Sequence, residues 1–263
     1  MDGSGIATLM TCRLAREVRD GDVVGVGLGT PMALAAALLA RATHAPGADV
    51  IVAGAVSPDA DLATCLRGAG ALAGRTAGYA VHLVTMEMAE RGAMTLQFLR
   101  PAQVDRAGNA NTSRILRDGA VATRLPGGLA TADVLRILPR VVLYHTDHRE
   151  RSLPEHVSFL TGAGGGDAVA GTRGPVRLIT DRAVFDLAGG EARLESLHPG
   201  VTLDEVRAQT GFPLQADADT TEPPTREELD ALAELDPLAL RELEIRSTQP
   251  AAARRLAALH HAG

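Results

Sequence analysis

Residues 23–40 read VVGVGLGTPMALAAALLA, and the fold turns on how they are parsed. Val23–Val26 is a short apolar run of buried-strand type. Gly25, Gly27 and Gly29 fall at alternate positions, and Thr30-Pro31 closes the turn. Threonine suits the residue that begins a helix. Proline suits the first helical position, where its missing N–H would go unpaired anyway. Thr30 is therefore the expected N-cap of an almost purely apolar helix that runs to Ala40. Residues 48–56, ADVIVAGAV, form a second apolar run that ends in Gly and Ser-Pro-Asp. Strand, turn, helix and strand in that order predict a βαβ unit with parallel strands. The glycine turn then has three possible tasks: to cradle a phosphate, to hold a reacting carbonyl, or simply to reverse the chain.

The bulk of the chain agrees with an α/β protein. Its 263 residues suffice for one large domain or two small ones with a sizeable core. Hydrophobic residues make up 46% but aromatics only 2%, and Trp is absent, so the core must be built from Ala, Val and Leu. A net charge of −6 and a shortage of stacking side chains argue against nucleic-acid binding. All 26 basic residues are Arg, which excludes Schiff-base chemistry by a lysine of this chain. Two cysteines, Cys12 and Cys65, make no disulfide framework and indicate a reduced, cytoplasmic setting. The apolar run Met32–Ala40 is far short of the roughly 20 residues of a membrane span, so no membrane partner is expected.

Further elements follow the same reasoning. Helical spacing covers residues 6–19, and buried-strand candidates are Ala80–Val84, Met94–Leu99, Arg140–Tyr144 and Val176–Thr180. A hairpin is expected around Gly189–Gly190. Thr202-Leu-Asp-Glu205 and Thr225-Arg-Glu-Glu228 are capping boxes, each opening a helix. Residues 211–224 read as an exposed connection, Asp236-Pro237 as the start of another short helix, and the Ala/Arg-rich end as a frayed helix or disordered tail. The expected organisation is an α/β domain over residues 1–220 and a C-terminal helical extension and tail over 221–263.

Several stretches carry a resemblance. DGDVVGVGLGTP (20–31) is similar to the strand and glycine loop that opens the β-type subunit of class I CoA-transferases. AQVDRAGNANTS (102–113) resembles the polar Gln-x-Asp-x-x-Gly-Asn-x-Asn segment of that family, and LPGGLATADVL (125–135) its Gly-Gly-x-x-x-Asp turn. Residues 178–212 resemble its C-terminal strand, hairpin and helix block. The resemblance implies an open, mostly parallel sheet with flanking helices, plus a C-terminal hairpin and helices. It also implies a separately encoded α-type partner in a heterodimer or 2+2 heterotetramer, and an acyl-CoA lying across the two chains. Coenzyme A would then be part of the substrate, with no tightly bound cofactor and no metal.

One departure from the pattern matters more than the matches. In transferring members a glutamate after the second strand attacks the thioester, because a carboxylate can form an anhydride and exchange thiol for acid. Here that region reads VIVAGAVSPDADL (50–62), with Gly54 near the reactive position and Ser57 beyond it; there is no Glu between Asp22 and Glu87, and no Cys near that place. Asp59 and Asp61 are the nearest acids, each either a nucleophile or a turn residue. ARATHAPGAD (40–49) and ITDRAVFDL (179–187) resemble branches of the family that have abandoned transfer. One of these decarboxylates an unsaturated dicarboxyl-CoA; another opens a ring of a steroid-derived CoA thioester by hydrolysis.

Such reactions need an enolate or oxyanion held by fixed N–H dipoles, which a glycine turn at a helix N-terminus supplies. The candidate catalytic set is therefore Gly27, Gly29, Thr30, Gly54 and Ser57. The resemblance adds Gln103, Asn109, Asn111, Gly127, Gly128 and Asp133 for substrate and CoA. Asp133 has the alternative of bracing the next helix. His145 is either a general base or unused, His148 is expected at the surface or an interface, and Cys65 as a buried, inert thiol. Three functions stay open: decarboxylation or hydrolysis of a CoA thioester, transfer with the nucleophile supplied elsewhere, and a non-catalytic subunit that stabilises an active α-type partner.

Overall fold

The computed structural model describes residues 1–27, 29–52, 54–80, 82–165, 173–215 and 218–261. They fall into two units, residues 1–98 with 223–263 and residues 99–222.

In the first unit, Asp2 caps α1 (Gly3–Ala15) by accepting the Gly5 N–H at 2.8 Å. β1 (Val23–Val26) leads through the glycine turn into α2 (Pro31–Ala42), and β2 (Asp49–Val52) returns parallel to β1, in register from Val23↔Asp49 to Val26↔Val52. The predicted βαβ unit is present. α2 is buried at every residue from Pro31 to Ala40, the pattern of a helix covered on all sides. Its buried alanines at 33, 35, 36, 37 and 40 let neighbours approach closely in a chain poor in aromatics.

The apolar run 48–56 breaks in the middle. Gly54 turns the chain, and β3 (Ala55–Val56) pairs antiparallel with β2. Then come α3 (Leu62–Leu66), β4 (Gly78–Tyr79), α4 (His82–Glu90) and β5 (Leu96–Leu99). The strand expected over 80–84 is corrected: β4 stops at Tyr79 and a helix begins at His82. The straight-chain residues Met86, Glu87, Met88 and Glu90 favour helix, and short apolar runs do not separate the two states by periodicity. β5 pairs parallel with β1 on the side away from β2, which gives the order β5-β1-β2-β3-β4.

The second unit starts with two small ribbons. β6 (Gln103–Val104) pairs with β7 (Ala110–Asn111), and β8 (Arg114–Arg117) with β9 (Ala120–Arg124). After α5 (Thr131–Ile137), β10 (Arg140–His145) and β11 (Arg177–Thr180) pair in parallel. β12 (Ala183–Asp186) and β13 (Arg193–Leu197) form the expected hairpin around Gly189–Gly190. α6 (Leu203–Ala208) and the two-residue β14 (Asp219–Thr220) complete the order β10-β11-β12-β13-β14.

The chain then rejoins the first unit with α7 (Arg226–Leu235), a 3₁₀ turn over Leu240–Glu244 and α8 (Gln249–His261). Both capping boxes are made, at Thr202/Glu205 and Thr225/Glu228. The short helix expected at Asp236-Pro237 begins a turn later, at Leu240, because the Asp236 carboxylate accepts the Leu240 and Arg241 N–H groups at 2.6 and 3.1 Å. Among the described residues, no helix is long and apolar enough to cross a membrane.

Candidate active site

The parallel register of β1 and β2 sets Val26 beside Val52, so the turns that follow them emerge at one edge of the first unit's sheet. That edge, beyond the carboxyl ends of parallel strands, is where open α/β sheets bind ligands. Gly27, Gly29 and Thr30 form the first turn; Leu28 lies outside the described residues. Gly29 has φ +70°, and among the described residues a Cβ built on it would meet nothing within 4 Å. Thr30 is the N-cap residue, but its hydroxyl does not cap the helix; it donates to the Gly27 carbonyl at 2.6 Å and tightens the turn.

The helix cap comes from elsewhere. The Met32 N–H donates to Oε2 of Glu244 at 2.7 Å, across 212 residues of chain. Glu244 is buried on the 3₁₀ turn, which is itself held by the Asp236 carboxylate and by Arg255, whose guanidinium donates to Glu242 at 2.6 Å. A carboxylate at the positive end of a helix is stabilising. It also occupies one amide that an incoming anion would otherwise find.

The second turn contains Gly54, at φ +83° in the left-handed region. Its carbonyl accepts the Ala80 N–H at 2.7 Å, and an added Cβ would lie 3.2 Å from the Ala80 carbonyl oxygen. A larger residue there is strained on both counts. Ser57 goes elsewhere. Because β3 runs antiparallel, Ser57 lies back beside the start of β2, its N–H on the Val50 carbonyl at 2.6 Å and its hydroxyl donating to the Asp49 carboxylate. It lines a polar cleft of about 540 Å³ with Asp59, Arg75 and Thr76. Ser57 also has a left-handed backbone, φ +47°. Asp61 is the N-cap of α3, taking the Thr64 N–H at 2.8 Å, and Asp59 is exposed.

In the second unit the polar loop is a closed network. Gln103 and Asn111 are buried opposite each other on β6 and β7. Gln103 Oε1 accepts from Asn111 Nδ2 at 2.8 Å and from the Ser158 N–H and hydroxyl at 3.1 and 2.9 Å. Its amide nitrogen donates to the Arg151 carbonyl at 3.2 Å. Asn111 Nδ2 also reaches the Arg114 carbonyl at 2.7 Å, while Asn111 Oδ1 accepts the Ser113 N–H at 3.1 Å. Asp105 gathers the Ala107, Asn109 and Val157 N–H groups, and Asn109 Oδ1 accepts the Gly164 N–H at 2.8 Å. These side chains brace the loop from within. Ser158, 47 residues beyond Asn111, is a member that no local sequence signal marked.

Gly127 has φ +114°, and its N–H donates to the Thr112 carbonyl at 2.9 Å, fastening the second glycine turn to the polar loop. Gly128 packs on Thr161, which a Cβ would meet at 2.8 Å. Asp133 is exposed in the first turn of α5, whose N-cap is Ala130.

His148, expected at the surface or an interface, is buried within the chain: its ring sits between the Thr180 and Thr210 hydroxyls at 2.8 and 2.9 Å. Burial lowers its pKa to about 3, with Arg182 adding to the effect. Hydroxyls on both nitrogens satisfy a neutral ring, which is why a polar residue after a strand tolerates the interior. His145, also lowered by burial to about 4, accepts the Asp147 N–H at 3.1 Å. Among the described residues no three metal-ligating side chains cluster. Cys65 is buried on α3, with its thiol pushed up by burial to about 11, and Cys12 likewise to about 12. Both are unreactive thiols at neutral pH.

The order of these parts, a glycine turn after β1, the polar loop and the second glycine turn, coincides with a sequence family described as Coenzyme A transferase, whose model matches residues 8–209. The chain belongs to the coenzyme A transferase family. Within it, the chain is 33% identical to one of the subunits of the 3-oxoadipate CoA-transferase of Pseudomonas knackmussii, over 87% of this chain and 92% of that one. A stretch of 74 residues, 26% of this chain and 29% of the relative, is 45% identical to the cholesterol ring-cleaving hydrolase IpdB subunit of Rhodococcus jostii. The solved decarboxylase AibA/AibB matches with a TM-score of 0.81 at 29% identity, over 91% of this chain and 98% of that one. Coenzyme A transferases thus supply the fold of this chain, with transferring, hydrolysing and decarboxylating proteins among its relatives.

Proposed function

We propose that this chain is the β-type subunit of a heteromeric, cytoplasmic acyl-CoA enzyme, working with an α-type partner in a heterodimer or 2+2 heterotetramer. Its reaction is decarboxylation or hydrolysis of a CoA thioester rather than transfer. The observation that carries this reading is the turn after β2. Gly54 is left-handed and closed by Ala80, and no Glu occurs between Asp22 and Glu87, so this turn lacks the glutamate that attacks the thioester in transferring members.

Without a nucleophile, the work left to this chain is to hold charge. In decarboxylation the bond to the departing carboxylate breaks, its electron pair moves onto the thioester oxygen as an enolate, and a proton returns to carbon. In hydrolysis water adds to a carbonyl and makes an oxyanion. Both need dipoles fixed in advance. The turn at Gly27, Gly29 and Thr30 is suited to this: among the described residues Gly29 leaves space for close approach, and the Thr30 hydroxyl fixes the bend. Gly54 shares that edge. In this reading Gln103, Asn109 and Asn111 act through the loop backbone they stiffen, and Gly127, Gly128 and Asp133 form the CoA-side turn. Ser57 belongs to a separate polar cleft of the first unit.

A second reading, transfer with the nucleophile supplied by the partner, is favoured by the 33% identity to a protein named as a CoA-transferase. One experiment separates the readings. The chain is co-expressed with an α-type chain of the same genome and supplied with acyl-CoAs, and CO2, free CoA and acyl exchange are followed together. Release of CO2 or CoA without exchange, lost in Gly29→Val, is the expected result. Exchange with a trapped glutamyl or aspartyl adduct establishes transfer. Activity unchanged in Gly29→Val reduces this chain to a stabilising role.

A further inference from the structure

Gly25 sits inside the buried strand β1, a position where glycine weakens a strand and marks a close approach. What approaches is Gln97, its direct neighbour on β5. A Cβ added at Gly25 would lie 2.1 Å from Gln97 Oε1 and 2.6 Å from Met94 Cε. The missing side chain is the room in which the Gln97 amide lies over β1.

Gln97 is a costly residue to place there. It is only 8% exposed, between the fully buried Leu96 and Phe98. Its amide nitrogen donates to the Phe98 carbonyl at 3.0 Å, and that contact fixes which end of the amide is which, since only the nitrogen can donate. The amide oxygen receives no donor from any described residue. Glutamine is rarely buried, and a buried acceptor without a donor forfeits the hydrogen bond it had with water. The contrast with Gln103 is sharp: Gln103 Oε1 accepts three hydrogen bonds from within its own loop.

The position of that oxygen relates it to the glycine turn. Strand residues alternate between faces, so Gly27 shares the side of β1 on which the Gln97 amide lies, one step of about 6.6 Å further along. Among the described residues, a Cβ on Gly27 would meet only the Thr30 side chain, at 3.8 and 3.9 Å.

We propose that Gln97 Oε1 accepts a hydrogen bond from the acyl group of the substrate, and that the group it reads is a hydroxyl on the third acyl carbon. The inference rests on the reading that the glycine turn holds the thioester carbonyl, and it narrows the substrate class to 3-hydroxyacyl thioesters. Three bonds separate the carbonyl carbon from that hydroxyl oxygen, an extended span of about 3.8 Å. A hydrogen bond adds about 2.8 Å, and the two together match the strand step. The first amide of the pantetheine arm is one bond further from the carbonyl carbon and overshoots. A carboxylate or phosphate offers no donor, and the amide oxygen repels it. A site built to pair a substrate hydroxyl discriminates against the analogue that lacks it, because its own polar atom is then left buried and unpaired.

The test uses this chain assembled with the α-type chain of the same genome. Binding of 3-hydroxybutyryl-CoA and of butyryl-CoA is measured by calorimetry for wild type, Gln97→Met and Gly25→Ala. Gln97→Met keeps the volume and removes the amide. Gly25→Ala keeps the amide and pushes its flexible end aside. The expected result is that wild type binds the hydroxylated ligand at least tenfold more tightly, and that in both variants the two dissociation constants come within twofold of each other. Wild type without a preference overturns the proposal and leaves the acyl-CoA reading standing. So do variants that lose melting temperature but keep the preference, as a packing role alone would give. Equal weakening of both ligands in the variants overturns it as well, and moves the amide to the CoA side of the carbonyl. Wild type that binds neither ligand overturns this inference and the acyl-CoA reading together.

Discussion

Residues 103–111 and 114–124 adjoin in the chain and face opposite conditions. In the first stretch Gln103, Asp105, Asn109 and Asn111 are matched to partners within the loop or on the 151–164 segment, and Gln103, Asp105 and Asn111 are buried. In the second, three arginines lack carboxylates among the described residues and Val121 is half in water. A stretch complete within the chain contributes to folding. A stretch left incomplete contributes little to it. The two turns at the sheet edge differ in a similar way: Gly54 is closed by Ala80, whereas among the described residues nothing lies within 4 Å of a Cβ built on Gly29.

The contrast can be broken most forcefully at Asn111. Asn111→Leu takes one of three donors from the buried Gln103 Oε1 and leaves the half-buried Ser113 N–H without its acceptor. Orphaned buried polar groups cost about 1–3 kcal/mol each, so a loss of about 3 kcal/mol is expected in urea unfolding. A result under about 1 kcal/mol would mean that the loop is not a brace.

Acid probes the second buried network. With the His148 pKa near 3 when folded, only the unfolded chain takes up its proton between about pH 6.5 and 3, and stability falls through that window as pH falls. The penalty is about 2 kcal/mol at pH 5. Asp181, whose carboxyl is raised chiefly by burial, acts in the opposite direction at lower pH. Melting curves at about pH 7.5 and 5 should show the drop in wild type and a smaller one in His148→Gln; equal slopes would place the effect on another group.

Glu244→Gln tests the first glycine turn more gently. The neutral amide still accepts the Met32 N–H but loses the charge at the helix end, for a cost of about 1 kcal/mol in unfolding. The smallest effect belongs to the ribbon. Arg117→Glu/Arg124→Glu and Leu129→Asn should each change the isolated chain by less than about 0.5 kcal/mol, since exposed substitutions away from packed features rarely do more. A larger change would show that the ribbon supports its own unit.

What was legible in the sequence was what short-range chemistry dictates. Val23–Val26 followed by glycines, Thr-Pro and apolar residues determined β1, the turn and α2, and Thr202/Glu205 and Thr225/Glu228 marked their helices. The glycine turns were found as turns. Their functions were not readable, because which polar atoms are already occupied depends on distant partners. Nothing near Met32 announces Glu244, and nothing near His148 announces Thr210. The C-terminal stretch reads as frayed because its alanines and arginines show weak amphipathy, yet residues 249–261 are helical, packed after the 3₁₀ turn that carries Glu244.

That glutamate has a consequence for how the protein is made. The loop most suited to hold a substrate leaves the ribosome 212 residues ahead of the acid that secures its helix. Through all of that synthesis the nascent chain carries an uncapped helix end. Truncations or fusions that disturb the segment around Glu244 will therefore loosen a region that sequence distance would call remote.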